Sequence, residues 1–331
     1  MVSRLDSVCR TVPAAAAEAV TVPELGEMIS REVARVVPHD GHILVGMDPV
    51  TSVGCFLTTK NSYGPRVVSR MSIDYALGRS SPVRLLVRDT PDRRYGTHLH
   101  NMAVEGFDSE IRVELAHDGC VWGVLVLLRE RGRTPFSSTD TATAECLAQP
   151  LASALKRFVA ATPLTSMRSD QPPGLIIVNH RDEITVATPA GRDALRAFTP
   201  DRPLTDDELF TSIWNITYRT RRTGGPVVCR VLAPQGWIAL HAQLLDGSRL
   251  GDIAITTQPA SAEVLLPAIT AWHDITPRER TVLTQALEGL SAKHIARRLD
   301  LSPHTVNDHF KAIYRKIGVT SREELIAHLC H

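Results

Sequence analysis

Cysteine is thin and scattered. Cys9, Cys55, Cys120, Cys146, Cys229 and Cys330 form no CxxC pair, which argues against a zinc knuckle or a disulfide scaffold. Aromatic residues make up only 5% of the chain beside 43% hydrophobic residues, the composition of a soluble globular protein rather than a fibrous or disordered one. No run approaches the roughly 20 unbroken apolar residues of a membrane span, since "VPAAAAEAV" at 12–20 is broken by Glu18. The long apolar middle of a secretory signal is missing too, so a cytoplasmic protein without a membrane partner is expected. There is no G-x-x-x-x-G-K-[ST], hence no P-loop ATP site. No acidic cluster followed by a strand-end lysine suggests a phosphoacceptor receiver.

Charge excess is equally scarce, at +1 for 331 residues. From residue 273 onward nine Lys+Arg stand against seven Asp+Glu, and the remainder has 28 against 29. Charge alone therefore does not point to nucleic acid. The length is about twice that of a single core, so two or three domains are expected.

The first segment opens with "PELGEMISREVARVV", whose Leu25, Met28, Ile29, Val33 and Val36 have helical spacing. The short apolar runs "HILVGM" and "VGCFLT" read as strands. In "IRVELAHDGCVWGVLVLLR" two β-rich runs meet at Asp118-Gly119, a dipeptide that accepts the positive φ angles of a tight I′ turn. Helical spacing returns over 137–160. Strands enclosed by a first and a last helix imply an α+β sensor-like module.

The breaker-rich stretch "TPLTSMRSDQPPG" at 162–174 reads as a linker. Beyond it come the strands "GLIIVN" and "ITVAT", helices near 189–198 and 205–221, and three more strands, the last pair joined after a Pro234-Gln235-Gly236 turn. A small antiparallel sheet with helices inserted after its second strand is the economical reading.

From 276 onward the pattern is helices only. Thr276 with Glu279 forms a capping box, Ser291 and Ser302 cap the next two helices, and Ser321 with Glu324 repeats the box. Gly289 and Gly318 sit where helices stop. Helices near 277–288, 292–299, 303–317 and 322–330 result. The third puts Val306, Phe310, Ile313 and Ile317 on one stripe and His304, Asp308, Lys311 and Arg315 on another. The tight "DLSP" connection before it is what a helix-turn-helix needs.

The stretch "TPRERTVLTQALEGLSAKHIARRLDLSPHTVNDHFKAIYRKIGVTSREEL" closely resembles the LuxR/FixJ-type helix-turn-helix domain, with its T-x-R-E start, its turn of the G-[LYM]-S-x-x-x-I-A type, S-x-x-T-V and K-[LI]-G-V-x-S-R ending. The upstream part resembles, on weaker signatures, a GAF domain followed by a PAS-like domain. The expected fold is thus multidomain: two α+β sensor domains with antiparallel sheets, GAF-like at 20–161 and PAS-like at 174–258, a linker at 259–273, and an all-α four-helix DNA-binding domain at 274–331. The resemblance implies that helix 303–317 enters the major groove. It implies that the last helix helps pair two copies, with Leu325, Ile326 and Leu329 as pairing residues. It makes double-stranded DNA and RNA polymerase the expected partners of a homodimer.

The residues themselves suggest a division of labour. Ser302, Thr305 and Lys293 lie near helix starts, where backbone N–H groups and hydroxyls favour phosphate. Asn307 is suited to pair with the two major-groove atoms of adenine, and Lys311 reaches either a guanine edge or a phosphate. Arg315 faces phosphate, and Lys316 near the helix end takes either a structural or a phosphate role. Asp308 either accepts from a cytosine N4 group or holds Lys311 one turn away. His304 completes the stripe, whereas His309 lies between stripes and reads as a packing residue. Many family members carry lysine at the position of Asn307, so one family contact is missing. Without the motif, the whole stripe would read as an ordinary solvated face.

Upstream, Cys120 and Trp122 on one sheet and Trp237 and His241 on the other either line a ligand pocket or pack the cores. His98 and His100 would share a side of a strand and could hold a metal, but with no third ligand a loop or surface role is favoured. No catalytic constellation is found, so no enzyme activity, metal or cofactor is expected. The expected protein is a one-component transcription regulator responding to a small molecule, redox state or partner. The rival reading is a sensor or scaffold that uses the helical domain for protein association.

Overall fold

The structure, a computed structural model, describes residues 2–18, 21–64, 67–68, 83–88, 96–162, 172–196, 205–233, 236–245 and 251–330. Most of the breaker-rich stretch and the Pro234-Gln235 part of the turn lie outside the described residues.

The first domain contains α1 (Val2–Ala16), α2 (Val22–Ala34), β1 (Gly41–Met47), β2 (Gly54–Lys60), β3 (Val83–Val87), α3 (Gly96–Val104), β4 (Phe107–His117), β5 (Cys120–Glu130) and α4 (Ser138–Ala161). Helix α2 starts at a Thr21/Glu24 capping box and α4 at a Ser137/Asp140 box, each satisfying two of the N–H groups that a helix start leaves open. The antiparallel sheet runs β2-β1-β5-β4-β3. The β4–β5 turn has φ of 50° at Asp118 and 76° at Gly119, the positive pair that a tight hairpin needs. Alternation along β4 sends Ile111, Val113 and Leu115 to the face covered by α1, α2 and α4. Glu110 and Arg112 go to the opposite face, where Val126, Leu128, Leu86, Leu99 and Met102 form a second apolar cluster under α3. Helix α1 packs along α4 and α2 and buries Val8, Val12 and Ala16. The domain therefore begins before residue 20, contrary to the boundary read from sequence.

The second domain has β6 (Gly174–Val178), β7 (Ile184–Ala187), α5 (Pro189–Arg196), α6 (Asp206–Thr223), β8 (Val227–Ala233), β9 (Gly236–Leu244) and β10 (Ile253–Pro259). Its antiparallel sheet runs β7-β6-β10-β9-β8, the same relative order as the first.

Residues 259–273, expected to be a linker, instead contain α7 (Ala262–Trp272), capped by Ser261. Pro267 in its middle and apolar residues on nearly every side hide its helical period; such all-round hydrophobicity belongs to a buried helix. Leu265, Leu266, Ala268, Ile269 and Trp272 are buried, and Trp272 stacks on Trp237 of β9 with ring centres 4.7 Å apart. The last domain follows: α8 (Pro277–Leu287), α9 (Ala292–Arg298), α10 (Pro303–Ile317) and α11 (Arg322–Cys330).

The first two domains are joined by a buried ion pair. Arg230 on β8 donates from Nη1 (2.8 Å) and from its backbone N–H (3.2 Å) to Asp48 Oδ2 at the end of β1, while the other Asp48 oxygen accepts from the Val50 and Thr51 amides. Arg230 Nε donates to the Val264 carbonyl of α7 at 2.5 Å. Beside it, the Cys229 thiol meets the Gly54 carbonyl at 3.4 Å. The segment between β1 and β2 thus covers edge strand β8, which would otherwise offer unpaired backbone groups.

Removing one partner of a buried pair leaves the other charge uncompensated. Arg230→Met is expected to cost about 3–5 kcal/mol in denaturant titration, and Asp48→Leu combined with Arg230→Met to recover much of it. A second expectation concerns pH. His42 on β1 is 2% exposed, its Nε2 has no hydrogen-bond partner, and burial, then His39 and Lys60, lower its pKa to about 4. The unfolded chain then binds the extra proton between about 6.5 and 4, so His42's contribution is complete above pH 6.5 and lost as pH falls through 4. His42→Gln should flatten the stability-versus-pH curve of the full chain in that window.

Candidate nucleic-acid interface

The four carboxy-terminal helices close over Val282, Leu283, Ala286, Ile295, Ala296, Val306, Phe310, Ile313, Ile317, Leu325 and Leu329. Between α9 and α10 the chain turns at Asp300 with φ of 54°, a left-handed conformation that Asp tolerates better than most residues. Ser302 then caps α10 by accepting from the Thr305 amide at 3.0 Å, and Gly318 ends it at φ of 83°. Because Val306, Phe310, Ile313 and Ile317 are buried, the helix is pinned in rotation. Its opposite side carries His304, Asn307, Asp308, Lys311 and Arg315, all exposed. Lys293 and Ser302 are also exposed and Thr305 is half-buried.

On this side Asp308 is the hub. Its Oδ1 lies 3.1 Å from Lys311 Nζ and its Oδ2 lies 3.0 Å from His304 Nδ1. Hydrogen bonding to Lys311 is the main cause that holds its carboxyl below the usual range. His309 is half-buried between the stripes.

Of the two roles left open for Lys316, its contacts fit the structural one: one residue past Arg315 it lies about 100° further round the helix, toward α8. Its Nζ donates to Glu279 Oε2 at 2.6 Å and to the Asp274 carbonyl at 2.7 Å. Burial would raise the Glu279 carboxyl, but Lys316 and Thr276 outweigh it and leave the pKa lowered. Leu325 and Leu329 are 0% and 2% exposed within their own domain, leaving only Ile326 of the three partly accessible. On a short helix packed against its own bundle, the apolar stripe serves the intramolecular core first. Arg322 at the start of α11 adds a further tie, donating from Nη2 to the Ala286 (3.2 Å) and Leu290 (2.5 Å) carbonyls at the end of α8, a favourable place for a cation.

The four upstream residues do not converge. Trp122 and Cys120 are on β5, and Lys156 Nζ sits 5.5 Å above the Trp122 ring. Trp237 is 0% exposed with its face taken by Trp272, while half-buried His241 contacts Gln258. Trp237 is thus a packing residue. His98 and His100 lie on helix α3, not a strand, so two residues apart they diverge: His98 is buried and His100 exposed.

His98 instead belongs to a cluster that sequence reading missed. Glu110, fully buried on β4, accepts from the Tyr63 hydroxyl (2.8 Å), lies 3.0 Å from His98 Nε2 and pairs with Arg112 (2.8 Å). Burial would raise its carboxyl, yet Arg112, His98 and Tyr63 together hold it well below the usual range, while burial and then Glu110 push the Tyr63 phenol up. The available signal was the alternation of Glu110 and Arg112 with the apolar Ile111 and Val113, which puts an acid and a base on one face of β4.

Comparison with known proteins divides the chain in the same way. Residues 273–329 match the model of bacterial regulatory proteins of the luxR family, and residues 13–155 match the GAF domain. The chain thus carries a LuxR-type helix-turn-helix domain and a GAF domain. The HTH-type transcriptional regulator Mb0914c of Mycobacterium bovis is 47% identical over 55 residues, 17% of this chain and 6% of that one. The HTH-type transcriptional regulator GfsR of Streptomyces halstedii is 33% identical over 101 residues, 29% of this chain and 41% of that one. The nitrate/nitrite response regulator protein NarL of Escherichia coli is 44% identical over 52 residues, 16% of this chain and 24% of that one. The chain spans less than half the length of each.

Lys316→Met should lower the midpoint of thermal unfolding, by about 1–3 kcal/mol in stability for the stranded Glu279. In a gel shift below that midpoint, its DNA affinity should change less than that of Lys311→Ala.

Proposed function

We propose that the protein is a one-component, sequence-specific DNA-binding transcription regulator of the cytoplasm. One observation carries the reading: within a LuxR-type domain, α10 buries one stripe and leaves Asn307, Asp308, Lys311 and Arg315 open on the other. An α-helix so exposed fits the major groove, and Asn307 and Lys311 carry the donor groups that base edges accept. Lys293, Ser302 and Thr305 serve the phosphates. The protein acts as a homodimer on half-sites about 34 Å apart. Pairing through α11 then rests on Ile326 and its exposed neighbours Glu323 and Ala327, because Leu325 and Leu329 are already used. RNA polymerase is the downstream partner, and no catalytic step or cofactor is assigned.

The GAF domain and the second module, PAS-like on its sequence resemblance, serve as sensors. The Tyr63–His98–Glu110–Arg112 cluster is the effector-responsive part of the first. Burying four polar groups costs more desolvation than an apolar core of the same volume, and such clusters concentrate at functional sites. A small molecule entering beneath α3 gains hydrogen bonds by displacing one of Glu110's partners.

The test is a gel shift of the full-length protein on duplexes from its own upstream region. Affinity should fall by about a thousandfold between roughly 50 and 200 mM salt, as for a protein making about six phosphate contacts. Arg315→Ala should weaken binding to all sequences and reduce the salt slope by about 1, whereas Lys311→Ala and Asn307→Ala should each relax preference at one position. Salt-independent retention, or no retention, would support protein association through the helical domain instead.

A further inference from the structure

On a surface that meets a polyanion, Asp308 is the residue that does not belong. Duplex DNA carries a negative charge about every 1.7 Å along its axis, so an exposed carboxylate on the groove-facing helix lowers affinity for every sequence alike. Stability does not explain its presence. The side chains of His304, Asp308 and Lys311 are 86%, 50% and 75% exposed, and exposed pairs of this kind contribute little. What the geometry does provide is order. Asp308 holds His304 with one oxygen and Lys311 with the other, at 3.0 and 3.1 Å, so a cationic donor and an anionic acceptor stand side by side at a fixed spacing.

That pattern is complementary to one base pair in one orientation. In the major groove a G·C pair shows the guanine N7 and O6 acceptors and, next to O6, the cytosine N4 amino donor. We propose that in each half-site Asp308 and Lys311 read a G·C pair as a unit: Lys311 donates to guanine O6/N7 and Asp308 accepts from cytosine N4. This rests on the DNA-binding reading above and adds to it the identity of a base pair. At an A·T pair in the same orientation, O6 is replaced by the adenine amino group and N4 by the thymine O4. Lys311 then faces a donor and Asp308 faces an acceptor, so both contacts become repulsive together. The carboxylate thus gives up general affinity in exchange for rejection of the wrong pair.

The experiment uses the full-length protein and its Asp308→Ala and Asp308→Asn variants, each selecting from a randomised duplex library, followed by titration of the best wild-type duplex. The expected wild-type motif contains a G·C position in each half-site. Changing that pair to A·T should cost the wild type about tenfold or more, and Asp308→Ala less than about twofold. Inosine in place of the guanine keeps N7 and O6 and should leave wild-type affinity unchanged. Asp308→Ala should bind random duplex more tightly than the wild type, with Asp308→Asn intermediate. The proposal is overturned if Asp308→Ala retains the G·C preference, or if it weakens on all sequences equally, the outcome of a purely structural role. Wild-type protein that selects no duplex overturns the DNA-binding reading itself, a result distinct from any behaviour of the variants.

Discussion

The guanidinium of Arg230 holds three parts of the chain at one point: Asp48 of the first domain, its own strand of the second, and the Val264 carbonyl of α7. A buried arginine must surrender its hydration, and the loss is offset only while every partner stays in place. The arrangement therefore acts cooperatively. Separating the domains strands Asp48, and lifting α7 takes the acceptor from Arg230 Nε and unstacks Trp272 from Trp237. This makes α7 part of the packing of the first two domains rather than a tether between them and the helical domain.

Polar contacts tie the helical domain to the short segment that follows that helix. Lys156 of α4 meets Asp274 Oδ1 at 2.5 Å, Lys316 reaches the Asp274 carbonyl, and His273 Nδ1 lies 3.1 Å from the Lys316 carbonyl at the end of α10. The C-terminal end of α10 is thereby tied to a short segment that the first domain also grips. The exposed stripe of α10 is left out of these contacts. Packed and exposed residues thus occupy different sides of one helix, divided by the 3.6-residue period.

How legible this was in the sequence depends on the range of the causes. The Asp118-Gly119 hairpin, the serine and threonine caps and the two stripes of α10 are written within a few residues each, and these elements lie where periodicity and capping place them. So do the strands of both sheets, apart from β3. Helix α7 was missed because its signature is long-range: it is apolar all round since it has neighbours all round, and Pro267 interrupts the only local period. Helix α1 likewise takes its place from α4, more than a hundred residues away. The Glu110 cluster draws on Tyr63, α3 and β4, and no spacing rule joins a loop, a helix and a strand. Leu325 and Leu329 were read as pairing residues for a related reason. A family motif gives residue types at positions, whereas the direction of each side chain is decided by the domain's own packing.

The two sheets share a strand order but differ in what fills them. Around Trp237 the second is packed with apolar residues. Beneath α3 the first buries an ionised cluster whose members satisfy one another, and a change at any one alters the charge balance of the rest. Glu110 and Arg112 share β4 with Ile111 and Val113, which face α4 across the sheet. A shift of that strand reaches α4, and α4 carries Lys156, the residue that holds Asp274. Contacts between the cluster under α3 and α10 therefore run through one strand, one helix and one ion pair, with Arg230 keeping the second domain and α7 in register along the way.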